Sequence, residues 1–366
     1  MDRPDRNNLI ERLRQRLCEL LDDVPFARRM AVEQQPLPGP TRAADLVVEI
    51  ETAGARRLLV LEVKTEGLPR TLRRAGDALE TQLAQLPGTY GVLGAPYISD
   101  RGRAVCRELG VGCVDLAGNA LLAFDQVFIE RRGNPNPAPV RRLQRSLFAP
   151  RSSRVLRVLL VDPPRRWYVR DLAGEAGISL AQTSKVKRLL LDQDLAREDR
   201  RAFWLARPAE LLKQWAQAYS YESNGVRYFY SMLSLADAEH RIAAECGRRD
   251  IRYALAMFSG ASRVAPFAQY DRAFAFVDAR PDEIANSLDM NSVPSGANVV
   301  LLRPYDDGVF YGLQEVEGVQ VVSDIQLYLD LRSYKGRGEE AADFLFERRI
   351  EPGWTHARNP TTQPLP

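Results

Sequence analysis

Two acids and a lysine are spaced so that they could act together on a phosphodiester. Glu62 and Lys64 lie two apart in LVLEVKTEG (59–67), at the end of an apolar run, and Asp45 opens the earlier run DLVVEI. Magnesium takes oxygen ligands, and carboxylates supply them. A lysine beside such an ion can orient or activate a water for attack on phosphorus. The chemistry expected of the trio is metal-assisted phosphodiester cleavage, with Asp45 and Glu62 as magnesium ligands and Lys64 beside the water. The plain alternative is a solvated Glu62–Lys64 pair at a strand end.

The trio needs two strands to hold it. Leu46, Val48 and Ile50, then Leu59, Leu61 and Val63, alternate with other residues and predict a hairpin with one apolar face. With a two-residue turn at Ala53-Gly54, the numbers of facing residues sum to 107, which sets Asp45 opposite Glu62. Like charges facing across a ladder repel unless a cation joins them. Around the hairpin, Leu9, Ile10, Leu13, Leu17, Leu20 and Leu21 predict an amphipathic helix over 7–22. A helix over 70–85 carries Gln82, and the strand TYGVLGAP, a helix over 99–109 and the strand VGCVDL follow.

Asp45 followed by EVK after a hairpin-length gap, in this order of elements, resembles the PD-(D/E)xK nuclease superfamily, with its restriction-endonuclease-like and Holliday-resolvase-like cores. The resemblance spans about residues 1–130. It implies an α/β domain with Asp45, Glu62 and Lys64 as catalytic residues and Mg2+ as cofactor if the domain is active. The sequence departs from the family at Ala44, where a proline is usual, and the helical glutamate used by such enzymes is either Glu11 or Glu19. Domains of this fold also serve as DNA-binding scaffolds that do not cut.

A second constellation lies at 150–206. One helix carries Val155, Leu156, Leu159 and Leu160, and a short second helix begins near Asp171. Gly177 supplies the tight turn. SLAQ then reads as a capping box, with Ser179 as cap and Gln182 reaching back. The third helix runs to about Gln193 with Val186, Leu189 and Leu190 inward, so that Gln182, Thr183, Ser184, Lys185 and Arg188 are expected on its outward face. LAREDRRAFWLA predicts a hairpin with Arg197, Arg200 and Arg201 at its tip. The pattern resembles the winged helix-turn-helix of bacterial transcription regulators, and Ser179 with these residues forms the expected DNA-binding set. The alternative is a three-helix module for protein contacts.

Farther on, FSGASRVAPF and VVSDIQLYLDLRSYKGRGEEAADFLFERRI resemble the AbiEi-type antitoxin regulators of type IV toxin–antitoxin systems. The resemblance covers about 150–350. It implies a winged helix joined to an α/β domain related to nucleotidyltransferases, in a repressor of its own operon that opposes a nucleotidyltransferase toxin. Catalysis in such a domain needs a Gly-Ser loop and paired carboxylates. Here the loop would be Ser259 to Ser262, and the candidate acids Asp271 and Asp278 are seven apart, an odd spacing that sets them on opposite faces of one strand. A non-catalytic relative is expected.

Bulk properties limit the rest. A chain of 366 residues exceeds one core, so two or three domains are expected. Four scattered cysteines without a CxxC pair argue against a disulfide framework or zinc site, and two histidines leave little room for histidine chemistry. No apolar run is long enough for a membrane span, and the charged N-terminus is unlike a secretory signal. Residues 141–205 hold fifteen Lys and Arg against seven Asp and Glu, about +8 within a chain of net +3, which points to a polyanion for that block.

The expected fold is α+β multidomain. Residues 1–135 form the nuclease-like domain, 136–149 a linker, 150–215 the winged helix-turn-helix, 216–352 the nucleotidyltransferase-like domain and 353–366 a loose tail. The expected protein is a cytoplasmic DNA-binding regulator and antitoxin without resident cofactor. Its expected partners are double-stranded DNA, a toxin and a second copy of the chain. The alternative is a magnesium-dependent endonuclease delivered by its winged helix.

Overall fold

The computed structural model describes residues 3–33, 44–52, 54–84, 86–136, 147–200, 202–267 and 269–356. They divide into two compact units, residues 1–141 with 191–194, and residues 142–190 with 195–366. Most of the expected linker 136–149 and the tail after 356 lie outside the described residues, as does Arg201.

The first unit is a seven-stranded sheet with its strands in chain order: β1 (Ala27–Glu33), β2 (Leu46–Thr52), β3 (Ala55–Val63), β4 (Thr89–Ala95), β5 (Gly112–Asp115), β6 (Ala120–Phe124) and β7 (Val127–Arg131). Strands β3, β4 and β5 are parallel neighbours; the outer pairs are antiparallel. Helix α1 (Arg3–Asp22) packs Leu13, Leu17 and Leu21 against Leu46, Leu59 and Leu61 on one face. Helices α2 (Pro69–Leu83) and α3 (Asp100–Glu108) are the crossovers between the parallel strands and bury Leu72, Leu79 and Val105 with Val60 and Leu93 on the other. Strand alternation sends odd-numbered side chains of β3 to one core and even-numbered ones to the other. β2 and β3 pair Leu46 with Leu61 and Thr52 with Ala55, the register that sums to 107. β1, β6 and β7 are additions to the sequence reading; at five to seven residues with weak alternation, they carry little periodic signal.

The second unit begins with three helices, α4 (Pro150–Val161), α5 (Val169–Glu175) and α6 (Leu180–Asp192), and a hairpin of β8 (Ala196–Glu198) and β9 (Phe203–Leu205). Trp167 adds an isolated antiparallel bridge to β9 by exchanging two backbone hydrogen bonds with Phe203. Helix α7 (Pro208–Ala218) leads into a mixed sheet in the order β13-β10-β14-β12-β11-β16-β15. Its strands are β10 (Gly225–Tyr230), β11 (Tyr253–Leu255), β12 (Ala273–Val277), β13 (Asn291–Ser292), β14 (Val299–Arg303), β15 (Gln314–Val316) and β16 (Val319–Val321). The helices are α8 (Leu235–Arg248), α9 (Met257–Val264), α10 (Pro281–Ser287), α11 (Asp324–Arg332), α12 (Gly338–Leu345) and α13 (Glu351–His356), with a π-helical turn at Phe346–Ile350 between the last two.

One sequence expectation changes here. Strand β11 ends at Leu255, because Met257 takes φ +49° and turns the chain into α9. SGAS is therefore helical rather than a loop, and the buried Ser259 hydroxyl accepts from the Phe274 amide of β12 at 2.8 Å.

Helix α4 is fastened to the mixed-sheet part of the unit by polar side chains that its apolar pattern conceals. Arg154 makes a two-pronged pair with Asp306. Arg157 is completely buried, stacks over the Trp215 ring at 4.8 Å, and donates to Ser153, Tyr305 and Gln326. Gln326 passes the contact on, donating to the Tyr219 hydroxyl at 2.9 Å and to Asp330 Oδ1 at 2.8 Å. The Trp354 indole donates to the Leu160 carbonyl at 2.9 Å, satisfying one of the last-turn carbonyls a helix leaves open.

Candidate nucleic-acid interface

The geometry around α6 starts from Gly177. Its φ of +61° is the left-handed conformation glycine adopts without a Cβ penalty, and it breaks the chain sharply between α5 and α6. Ser179 accepts from the Gln182 amide at 3.3 Å and so caps α6. The reciprocal half of the capping box is missing: the Gln182 side chain donates to Ser152 of α4 at 2.8 Å. Gln182 thus braces α6 on α4.

Thr183 is completely buried, and its hydroxyl donates to the Ser179 carbonyl at 3.1 Å. This corrects the expectation of an outward Thr183. The signal was present in the sequence, since Thr183 lies three before Val186 and seven before Leu190, on their face of the helix. Ser184, Lys185 and Arg188 are exposed, and so are Arg197 and Arg200 on the hairpin. Among the described residues these four cations have no ion-pair partner. The nearby acids are engaged: Glu198 pairs with Lys187 at 2.9 Å and Asp199 with Arg166 at 2.7 Å.

Beside the start of α6 lies a cavity of about 910 Å³. Arg151, Arg154 and Arg170 line it together with Gly177, Ser179 and Gln182, and no acid does so among the described residues. Arg151 and Arg170 are exposed cations without an ion pair among those residues. Arg154 is held charged by its hydrogen bonds to Asp306, which raise its pKa. The sequence reading did not single out these three arginines, although they belong to the basic block. Their convergence depends on how α4 and α5 cross.

The acid–lysine trio is arranged differently from its expected form. Asp45 stands one residue before β2. Its Oδ2 accepts from the Val63 amide at 2.8 Å, and both its oxygens pair with Arg6 at 2.9 Å. The carboxylate therefore closes the end of the β2–β3 ladder. Lys64 Nζ donates to Glu62 Oε1 at 2.7 Å. Glu62, Lys64 and Gln82 line a cleft of about 410 Å³ with Arg70 and Arg74, and Asp45 is not among the lining residues. Magnesium requires several convergent oxygens, whereas these two carboxylates are each turned to a cation. Among the described residues no three His, Cys, Asp or Glu side chains form a metal-holding group. The residues do not fit a magnesium centre. Of the two glutamates considered with the trio, Glu11 pairs with Arg14 and Glu19 with Arg16.

In the mixed sheet Asp271 precedes β12 and Asp278 follows it, and Asp278 is paired with Arg252. Among the described residues no helix is long and apolar enough to cross a membrane.

No curated protein and no solved structure matches the chain. Residues 204–351 match a family model described as transcriptional regulator, AbiEi antitoxin, type IV TA system. The matched segment begins inside β9 and runs to the first residue of α13, so it takes in the mixed sheet and leaves out α4, α5 and α6.

Proposed function

We propose, from the premise that residues 204–351 carry the pattern of a type IV antitoxin regulator, that this chain is a DNA-binding transcriptional regulator and antitoxin that represses its own operon. In this reading α4, α5, α6 and the β8–β9 hairpin form a winged helix-turn-helix. The mixed sheet is a nucleotidyltransferase-like domain that meets the toxin, and the first unit is a restriction-endonuclease-like scaffold. The observation that carries the reading is the uncompensated basic face of α6 and its hairpin, with Lys185, Arg188, Arg197 and Arg200 exposed and without ion pairs among the described residues.

Duplex DNA is the polyanion such a face fits, because each phosphate neutralised releases condensed counterions. Ser184, Lys185 and Arg188 are positioned for base edges or flanking phosphates. Arg151 and Arg170, which line the cavity beside the α6 cap, are positioned for backbone phosphates. A symmetric dimer would require an inverted repeat.

The test is a gel shift with the chain's own upstream DNA and with unrelated DNA, each in magnesium and in EDTA. Wild type should shift the upstream fragment intact, and Lys185→Ala/Arg188→Ala should lose the shift. Retention of the shift by that variant would refute the assignment of α6. Magnesium-dependent cleavage abolished by Lys64→Ala would replace the regulator with a nuclease.

A further inference from the structure

The cavity beside the start of α6 has more room than contact with a DNA backbone requires. Side chains reach backbone phosphates from an open surface and need no hollow to do so. The volume of about 910 Å³ falls within the range of about 300–1,000 Å³ that encloses small-molecule ligands.

The lining is of two kinds. Three arginines supply charge. Asp306 offsets Arg154, which leaves Arg151 and Arg170, both exposed and without an ion pair among the described residues. Helix stability does not account for Arg151. It is the second residue of α4, whose first turn holds no acid, and the partial positive charge of a helix start disfavours a cation there. Ala173, Ile178 and Leu180 supply apolar surface. Leu180 is 52% exposed at the first position of α6, so the fold leaves this large apolar side chain uncovered beside the arginines.

The two kinds of surface together select a ligand. A bare phosphate or a phosphorylated sugar would use the arginines and leave the apolar part idle. A nucleotide uses both: guanidinium forks match its phosphates, and its base can lie on apolar side chains or on a guanidinium plane.

We propose that this cavity binds a nucleotide, with Arg151 and Arg170 on its phosphates and Ala173, Ile178 and Leu180 against its base. Its consequence rests on the regulator reading. The nucleotide takes the two arginines assigned to the DNA backbone, so its binding releases the operator.

The test is isothermal titration calorimetry of the full-length chain in EDTA with ADP, GDP, CDP, UDP and inorganic pyrophosphate. At least one nucleotide should bind with a Kd of about 100 μM or tighter, and pyrophosphate at least about tenfold more weakly, because it buries no apolar surface. Arg151→Gln/Arg170→Gln should weaken that nucleotide about tenfold or more, through two lost charge-assisted contacts. Leu180→Asn should weaken it severalfold; all three side chains are exposed, so these variants should fold. Absence of binding by all four nucleotides at about 1 mM would overturn the proposal. So would pyrophosphate binding as tightly as the nucleotide, or nucleotide binding that the double arginine variant leaves unchanged. A gel shift with upstream DNA tests the consequence. The nucleotide at saturation should weaken the wild-type shift severalfold, and an unchanged shift would overturn the shared use of the arginines. If no upstream DNA is shifted but the calorimetry holds, the regulator reading fails and the nucleotide site stands. If the DNA is shifted and the calorimetry is blank, the site fails and the reading stands.

Discussion

Replacing Asp330 with asparagine should remove a pH dependence from the stability of the second unit. Asp330 is completely buried on α11. Its Oδ1 accepts from the Tyr219 hydroxyl at 2.7 Å and from Gln326, while Oδ2 has no hydrogen-bond partner among the described residues. Arg157 of α4 is linked to it through Gln326, and its charge favours the ionised carboxyl. Burial therefore prevails over these favourable contacts and pushes the carboxyl up to about 7. An unfolded aspartate titrates near 4. Between those values the folded chain keeps a proton that the unfolded chain releases, so the site's contribution is complete below about pH 4 and falls as pH rises towards 7. Each pH unit in that window lowers stability by up to about 1.4 kcal/mol, or roughly 3 kcal/mol between pH 5 and pH 8. The asparagine side chain cannot ionise and keeps the Oδ1 acceptor. Urea unfolding followed by tryptophan fluorescence reads the joint, because Trp215 lies against Arg157. The difference in unfolding free energy between Asp330→Asn and wild type should shift by about 3 kcal/mol in favour of the variant from pH 5 to pH 8. Other titrating groups cancel in that difference. A difference constant to within about 0.5 kcal/mol over this range would refute the reasoning, since half a pH unit of titration already exceeds it.

Asp115 is buried and accepts from the Ile98 amide, the Asn119 amide and the Asn119 side chain; Asp115→Ala should destabilise the first unit by about 2–4 kcal/mol in urea unfolding, because three donors lose their acceptor. Asp45→Ala should cost about 1–2 kcal/mol through the freed Val63 amide, and unchanged stability would show that Asp45 does not close the ladder. Gly177→Ala forces a side chain into φ +61° and should cost about 1 kcal/mol or more by thermal unfolding. Thr183→Val should leave upstream-DNA affinity within about twofold of wild type, because Thr183 is buried and offers no surface for a base contact; a larger loss in the gel shift would place Thr183 at the interface.

The parts legible in the sequence were those written in local periodicity. Alternation in 46–50 and 59–63 defined the β2–β3 register, and the leucines of 9–21 defined the buried stripe of α1. Gly177 announced its turn. What escaped depends on distant partners. Facing positions placed Asp45 across from Glu62, yet nothing local shows that Arg6 and the Val63 amide occupy the Asp45 carboxylate. Gln182 looked like half of a capping box until Ser152, thirty residues away, became its acceptor. Arg154 and Arg157 sit in an apolar helix whose periodicity says nothing of their partners; Asp306 and Gln326 lie about 150 and 170 residues downstream. The short strands β13 and β15 have two or three residues each, and no period can be recognised in so few.

Under the proposed regulator reading, the fastening of α4 also bears on how chains of this build can diversify. A helix that buries Arg157, Ser153 and the Leu160 carbonyl against the mixed-sheet part cannot be exchanged as a cassette with α5, α6 and the hairpin. A foreign first helix would arrive without the matching arginine and strand Gln326, Asp330 and Trp354 in the interior. In that reading, new operator preferences are to be sought in point changes on the solvent side of α6, at 184, 185 and 188, where no such tie is made. Under the proposed reading, α4, α5, α6, the hairpin and the mixed sheet should therefore be inherited as one block.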